Sequence, residues 1–279
     1  METKLPRRIK ININDIEFPH TLSRGCGDLE LMSDKIEWVR DNSSPYQVEI
    51  FTDRMVSNVL HSNAKIKIAW LLEPIEFNPG IYEMVRKYEG CFDFIFTHEF
   101  SMIDNKKYIF IPHGGCWINN HECEIYDKSK NVSIVSSGKN ITSGHKLRNL
   151  IVETIKDDKD IGLYGRKYNP IGNKLISFKD YRFQIVVENS RSPLYFTEKI
   201  IDCFSTGTVP IYWGASDIGD FFDERGIITL NDINDLDINK YNEEVYNKMK
   251  PYIEENYKRS SEYRFSENVI HSFLEGISI

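Results

Sequence analysis

Between residues 188 and 199 the chain reads ENSRSPLYFTEK. Two acids (Glu188, Glu198), two cations (Arg191, Lys199), an amide (Asn189) and a phenol (Tyr195) crowd into one short stretch. The apolar run FQIVV precedes them and IIDCF follows, so the group falls where a strand gives way to a helix. A helix N-terminus offers unpaired N–H groups and the positive end of the helix dipole, which together suit phosphate. Lys199 adds a mobile point charge there. Arg148, placed early in an upstream helix reading SGHKLRNLIVETIK, adds a planar fork able to hold two phosphate oxygens. The two cations fit a diphosphate better than a single carboxylate. Glu198 has no use for phosphate but can accept hydrogen bonds from ribose or sugar hydroxyls, with Asn189 and Tyr195 completing a polar wall. That combination is the chemistry of a nucleotide-sugar site. A plainer reading stays open beside it: Glu and Lys are common in a first helical turn, and Arg148 can simply cover its own helix stem.

The elements that must position these residues form two α/β halves. In the first, residues 9–13, 47–51, 64–72, 92–100 and 107–112 read as strands. Residues 79–90 read as a helix opened by Pro79 and closed by Gly90. In the second half, 131–138 is a strand ending in small residues. A helix over 143–156 follows, with Leu147, Leu150, Ile151 and Ile155 on one face and Ser143 as its cap, which places Arg148 in its first turn. Residues 161–165 make a short strand, and 183–189 are the near-continuous apolar run of a strand covered on both faces. Thr197 caps a helix running to Phe204 that Gly207 stops, and TVPIYWG is the next strand. The alternation predicts parallel sheets. Ligands of such sheets lie beyond the carboxyl ends of the strands. The expected domains are 1–125, 126–245 and a helical tail, 246–279, packing on the domains.

Composition sets bounds. At 279 residues the chain can bury a substantial core, and a net charge of −7 speaks against a broad nucleic-acid footprint. The five cysteines are odd in number and scattered, which disfavours a disulfide framework. HGGCWINNHEC brings Cys116 and Cys123 near His113 and His121, but without zinc-knuckle spacing, so thiols rather than a metal site are expected. The Asn-x-Ser/Thr triplets at Asn42, Asn131 and Asn140 carry no weight without a secretory signal. No signal-peptide run opens the sequence and no segment approaches ~20 apolar residues, so a soluble, cytoplasmic protein is expected. No P-loop and no G-x-G-x-x-G after a strand is found, which removes the common hydrolase and dinucleotide readings. The Gly pair of PHGGCWI (112–118) suits a tight interdomain turn, and LYGRKYNP (163–170) a turn that could also read a base.

FQIVVENSRSPLYFTEKIIDCFSTGTVPIYWG resembles the signature of the α1,3-fucosyltransferases, glycosyltransferase family 10. The shared features are an apolar strand, Glu-Asn, Tyr-x-Thr-Glu-Lys, an apolar helix, Gly-x-Val-Pro and a strand ending in Gly. KLRNLIVETI resembles the family's Arg-Asn helix. The resemblance covers the C-terminal half well and the N-terminal half weakly. It implies a GT-B architecture of two Rossmann-like domains facing a cleft, the C-terminal one for a GDP-sugar donor and the N-terminal one for a glycan acceptor. It further implies inversion at the anomeric carbon, no required cofactor and no protein-held metal. By matching positions, Arg148 and Lys199 would bind the diphosphate, while Asn189, Tyr195 and Glu198 would contact ribose, phosphate or sugar. With no membrane anchor preceding the match, a soluble bacterial- or viral-type member is expected.

An inverting transfer needs a base for the incoming hydroxyl, and the family's is a Glu soon after a central N-terminal strand. IAWLLEPIEFNPG offers Glu73, with Glu76 three residues on; Glu73 is favoured because it follows the strand directly. His98 and Glu99 are the second candidates. Two non-catalytic readings stay beside this one: a carbohydrate-binding relative that has lost activity, and a sensor of GDP-sugars.

Overall fold

The structure is a computed structural model that describes residues 8–15, 35–40 and 46–277; Cys26 and Asn42 lie outside these. The chain divides into two units, Met1–His113 with Phe265–Ile279, and Gly114–Arg264.

In the first unit, β1 (Ile9–Asn14), β2 (Ile36–Val39), β3 (Val48–Thr52), β4 (Ile66–Trp70), β5 (Phe94–Thr97) and β6 (Tyr108–Phe110) form one parallel sheet in the order β2-β1-β3-β4-β5-β6. Side chains alternate across each strand. Ile50 and Ile68 therefore enter one core layer, while Phe51 and Ala69 enter another with Ile81, Tyr82 and Val85 of α1 (Pro79–Tyr88). Pro79 does open α1, where its missing N–H costs nothing.

The second unit holds β7 (Lys130–Val135), α2 (Ser143–Ile155), β8 (Gly162–Tyr164), β9 (Tyr181–Val187), α3 (Glu198–Ser205), β10 (Val209–Trp213), β11 (Ile228–Thr229) and α4 (Glu243–Tyr263). Its sheet is also parallel, in the order β11-β10-β9-β7-β8. All seven residues of β9 are buried, Ile185 and Val187 against Ile151, Val152 and Ile155 of α2, Val186 against Ile200, Ile201 and Phe204 of α3. Leu150, expected on the buried face of α2, is half exposed, and Val152 takes that place. Thr197 caps α3 as expected, and Gly207 follows it at φ +70°, a conformation that favours glycine.

The tail divides between the units. Tyr246, Ile253, Asn256 and Ser260 of α4 are buried in the second, the Tyr246 hydroxyl donating to Gly207 O at 2.8 Å. The last helix, α5 (Ser266–Gly276), packs Ile270 and Leu274 into the first unit, with Phe273 edge-on to Phe94 and Phe96. The boundary falls at His113/Gly114, earlier than residue 125, because Cys116 and Ile118 belong to the core of the second unit. No helix among the described residues is long and apolar enough to cross a membrane.

Candidate active site

The buried strand β9 hands over to Glu188, a side chain with no exposed surface. A carboxylate can be buried this way only with partners. Glu188 Oε1 accepts the Thr197 N–H at 2.9 Å, and Oε2 accepts the Thr197 hydroxyl at 2.8 Å and Lys199 Nζ at 3.1 Å. Thr197 Oγ1 in turn accepts Lys199 Nζ at 2.8 Å. Lys199 Nζ also lies 3.4 Å from Glu198 Oε1. From there the chain of charges continues to Lys174 Nζ, 4.0 Å from Glu198 and 2.5 Å from Asp202 Oδ2, and Asp202 Oδ1 accepts the Trp117 N–H at 2.7 Å. Glu188 and Asp202 are fully buried, whereas Lys199, Lys174 and Glu198 keep 22%, 20% and 15% of their side chains exposed. The buried acids thus hold the ammonium groups of both lysines.

Burial works against the charge on Lys199, but Glu188 and Glu198 outweigh it and hold the ammonium above the ordinary lysine range. Asp202 and Glu198 do the same for Lys174. Arg148 joins from α2. Its guanidinium is buried and donates through Nη2 to Val187 O. Burial lowers its ionisation, opposed by Glu188, Glu198 and Tyr195. The reach is explained by the tilt of helical side chains toward the N-terminus.

The cap of α2 is Thr142 rather than Ser143, so Arg148 lies in the second turn, not the first. Thr142 and His145 bond reciprocally, Thr142 Oγ1 accepting the His145 N–H at 3.4 Å and His145 Nδ1 the Thr142 N–H at 3.3 Å. Gly144 N–H donates to Asn189 O at 3.2 Å. These N–H groups of α2 are already used, so its N-terminus is not an open helix end. Gly144 also sets how close α2 comes: a Cβ there would lie 1.8 Å from Glu188 O.

Of the expected residues, Arg148, Glu198 and Lys199 come together. Tyr195 is 1% exposed, near Arg148 but enclosed. Asn189 is partly buried and braces α2 through its carbonyl. Arg191 turns away, bonding Asn231 Oδ1 at 3.0 Å. Glu188, singled out in the sequence but given no role there, completes the network with Lys174 and Asp202, which the sequence did not single out. Two Asp-x-Asp triplets serve turns: Asp158 Oδ1 accepts the Asp160 N–H at 2.9 Å, and Asp235 Oδ2 accepts the Asn231 N–H at 2.9 Å.

In the first unit, Glu73 follows β4 by way of buried Leu71 and Leu72. Three buried groups fix this main chain. Asp53 Oδ1 accepts the Leu72 N–H at 3.0 Å, His98 Nε2 donates to Leu72 O at 3.1 Å, and the Tyr82 hydroxyl donates to Glu73 O at 2.9 Å. Burial, then the carboxylates of Glu99, Asp53 and Glu73, push the Tyr82 phenol above its ordinary range. Burial and neighbouring His113 lower His98 to about 3, so its ring is neutral near pH 7. Glu73 is partly buried, while Glu76 is exposed. The family resemblance, with the place of Glu73 directly after a strand, suggested this residue; the bracing by Asp53 and Tyr82 had no signal in the sequence.

A family model, glycosyltransferase family 10 (fucosyltransferase) C-terminal region, matches residues 125–270, just over half of the 279-residue chain. The chain belongs to glycosyltransferase family 10. Every member of the Arg148–Glu188–Lys199–Lys174 network falls inside the family 10 match, and Glu73 falls before it. An alpha-(1,3)-fucosyltransferase of Helicobacter pylori is 25% identical over 153 residues, 50% of this chain and 31% of that protein. An alpha-(1,4)-fucosyltransferase of Arabidopsis thaliana is 40% identical over 48 residues, 17% of this chain and 12% of that protein. The chain therefore spans less than a third of the length of these curated relatives. A crystal structure of an alpha1,3-fucosyltransferase with GDP superposes with a TM-score of 0.56 at 17% identity, covering 99% of this chain and 92% of that one. TarM gives 0.54 at 12% identity, covering 83% and 55%. These likenesses establish a GT-B-like α/β fold for this family 10 chain.

Proposed function

We propose that this chain moves L-fucose, or a related sugar, from a GDP-sugar to a hydroxyl of a glycan acceptor, with inversion at the anomeric carbon. The observation that carries the reading is Lys199 Nζ held 3.1 Å from buried Glu188, within the region matched by the family. A free lysine would have to be ordered when the ligand arrives. Here folding has already oriented it, which is the preorganisation that electrostatic catalysis requires. The GDP complex of the structural relative is consistent with such a donor.

In the proposed reaction, Glu73 takes the proton of the acceptor hydroxyl as that oxygen attacks the anomeric carbon. The bond from that carbon to the GDP oxygen breaks through an oxocarbenium-like state. Lys199 and Arg148 stabilise the charge growing on the diphosphate, and Glu198 accepts hydrogen bonds from ribose or sugar hydroxyls. Asn189 and Tyr195 support this donor wall. No cofactor and no protein-held metal enters the scheme. Because the diphosphate charge is greatest in the transition state, the cations act on the rate as well as on binding.

Thermal stabilisation by GDP, UDP, ADP and GDP-fucose, measured side by side, tests the donor. A ligand bound only to the native state at ~100 times its Kd adds ~2.7 kcal/mol. Selective stabilisation by GDP and GDP-fucose is expected. A UDP preference, or no response to any nucleotide, would contradict the assignment.

A further inference from the structure

Glu198 stands between two ammonium groups that are held in different ways. Its Oε1 lies 3.4 Å from Lys199 Nζ and 4.0 Å from Lys174 Nζ. Lys199 comes from the first turn of α3, Lys174 from the connection between β8 and β9. That connection is fixed at several points. Asn173 Oδ1 accepts the Leu175 N–H at 2.8 Å, and Asn173 Nδ2 donates to Glu122 Oε1 at 3.0 Å. The Ser177 hydroxyl donates to Lys174 O at 2.8 Å. The side chain is fixed too, because Lys174 Nζ donates to Asp202 Oδ2 at 2.5 Å while Asp202 Oδ1 is taken by the Trp117 N–H. Asp202 has no exposed surface, so moving Lys174 away would leave a buried carboxylate without its cation.

The two lysines therefore differ in what an arriving anion can do to them. An ammonium group has three N–H donors. Lys199 gives one to Glu188 Oε2 and one to Thr197 Oγ1. The third serves either Glu198 or a phosphate oxygen. A diphosphate that takes it draws the nearer cation from Glu198 and adds negative charge beside it. Lys174 is tied to Asp202 and stays.

We propose that Lys174 is a positioning residue for the donor, holding the Glu198 carboxylate in its binding orientation while Lys199 turns to the diphosphate. The inference rests on the donor reading above, in which Glu198 accepts hydrogen bonds from ribose or sugar hydroxyls. Lys174 acts wholly through Glu198 and need not touch the donor. A carboxylate that is already ordered does not have to be ordered by the ligand, a gain of about tenfold in affinity for a side chain with several rotamers.

A double-mutant cycle on donor affinity tests this, since residues that act together depart from additivity. Lys174→Met is combined with Asp202→Asn, so that no buried carboxylate loses its partner and an amide oxygen can still accept the Trp117 N–H. Binding of GDP-fucose to the full chain is measured by calorimetry for the parent, this pair, Glu198→Gln, and all three substitutions together. The pair is expected to weaken binding about tenfold by itself. With Glu198→Gln already present, it should change affinity by less than about twofold. Lys174→Arg, which keeps a cation between the two acids, should stay within about twofold of the parent. If the pair weakens binding equally with and without Glu198→Gln, or leaves the parent's affinity unchanged, the inference is overturned while the donor reading stands. A loss in Lys174→Arg as large as the pair's overturns it as well, and that variant keeps Asp202 paired. A parent that binds no GDP-fucose overturns the donor reading and the inference together.

Discussion

Lys199 Nζ sits 3.1 Å from Glu188 Oε2, a carboxylate at the end of β9 with no exposed surface. The same carboxylate holds the Thr197 N–H and hydroxyl, so one acid fixes both the cap of α3 and the cation beside it. Glu188→Ala removes all three bonds, taking the acceptor from the Thr197 N–H and leaving Lys199 to Thr197 Oγ1 and Glu198. Breaking a buried pair from one side costs roughly 3–5 kcal/mol. Urea unfolding should show a loss near the lower end, since Lys199 can reach solvent; a loss below about 1 kcal/mol would mean that Glu188 does not anchor the site.

Gly144 gives a second, steric prediction. Its missing Cβ is what lets α2 rest on the main chain of Glu188 and Asn189. The obstacle is backbone and cannot rotate away, so Gly144→Ala should cost about 1–3 kcal/mol and displace Arg148 with the helix. Denaturant melts and GDP affinity, measured on the same variant, should both worsen.

His98 sets an acid dependence for the first unit. Its folded pKa is lowered from 6.5 to about 3, so between those pH values the unfolded chain binds the extra proton and stability rises with pH. The contribution is fully present above about pH 6.5 and is lost as pH falls toward 3. Between pH 7 and pH 5 it amounts to about 2 kcal/mol. His98→Gln should flatten the stability profile across that interval, relative to the parent, by about that amount.

Much of this was legible beforehand. The run FQIVVEN is apolar at nearly every position because β9 is covered on both faces, and that periodicity reads directly as a buried parallel strand. Thr197, Glu198 and Lys199 were legible because a cap has local chemistry. By contrast β2 and β11 are too short, at four and two residues, to carry a pattern of their own. Lys174 lay in a loop punctuated by Gly and Pro, where nothing local announces a partner as distant in sequence as Asp202. Tyr195 read as part of a polar wall around a ligand, and only the packing of its neighbours shows it enclosed.

Glu73→Ala separates base from binding. Its main chain is braced by Tyr82 at 2.9 Å, and the substitution leaves that bond in place. GDP stabilisation should match the parent while transfer to a glycan acceptor is lost. Near-normal transfer would move the base to Glu76 or Glu99.

The most direct measurement is the release of GDP from GDP-fucose at saturating donor, with and without a panel of glycan acceptors, for the parent, Lys199→Ala and Arg148→Ala. The parent should turn over, faster with an accepted glycan, and each variant should be slower by at least ~100-fold in kcat. A variant with normal kcat would remove these cations from leaving-group stabilisation. A parent that binds GDP-fucose and never releases GDP would contradict transfer itself and leave a GDP-sugar-binding protein on the family 10 fold.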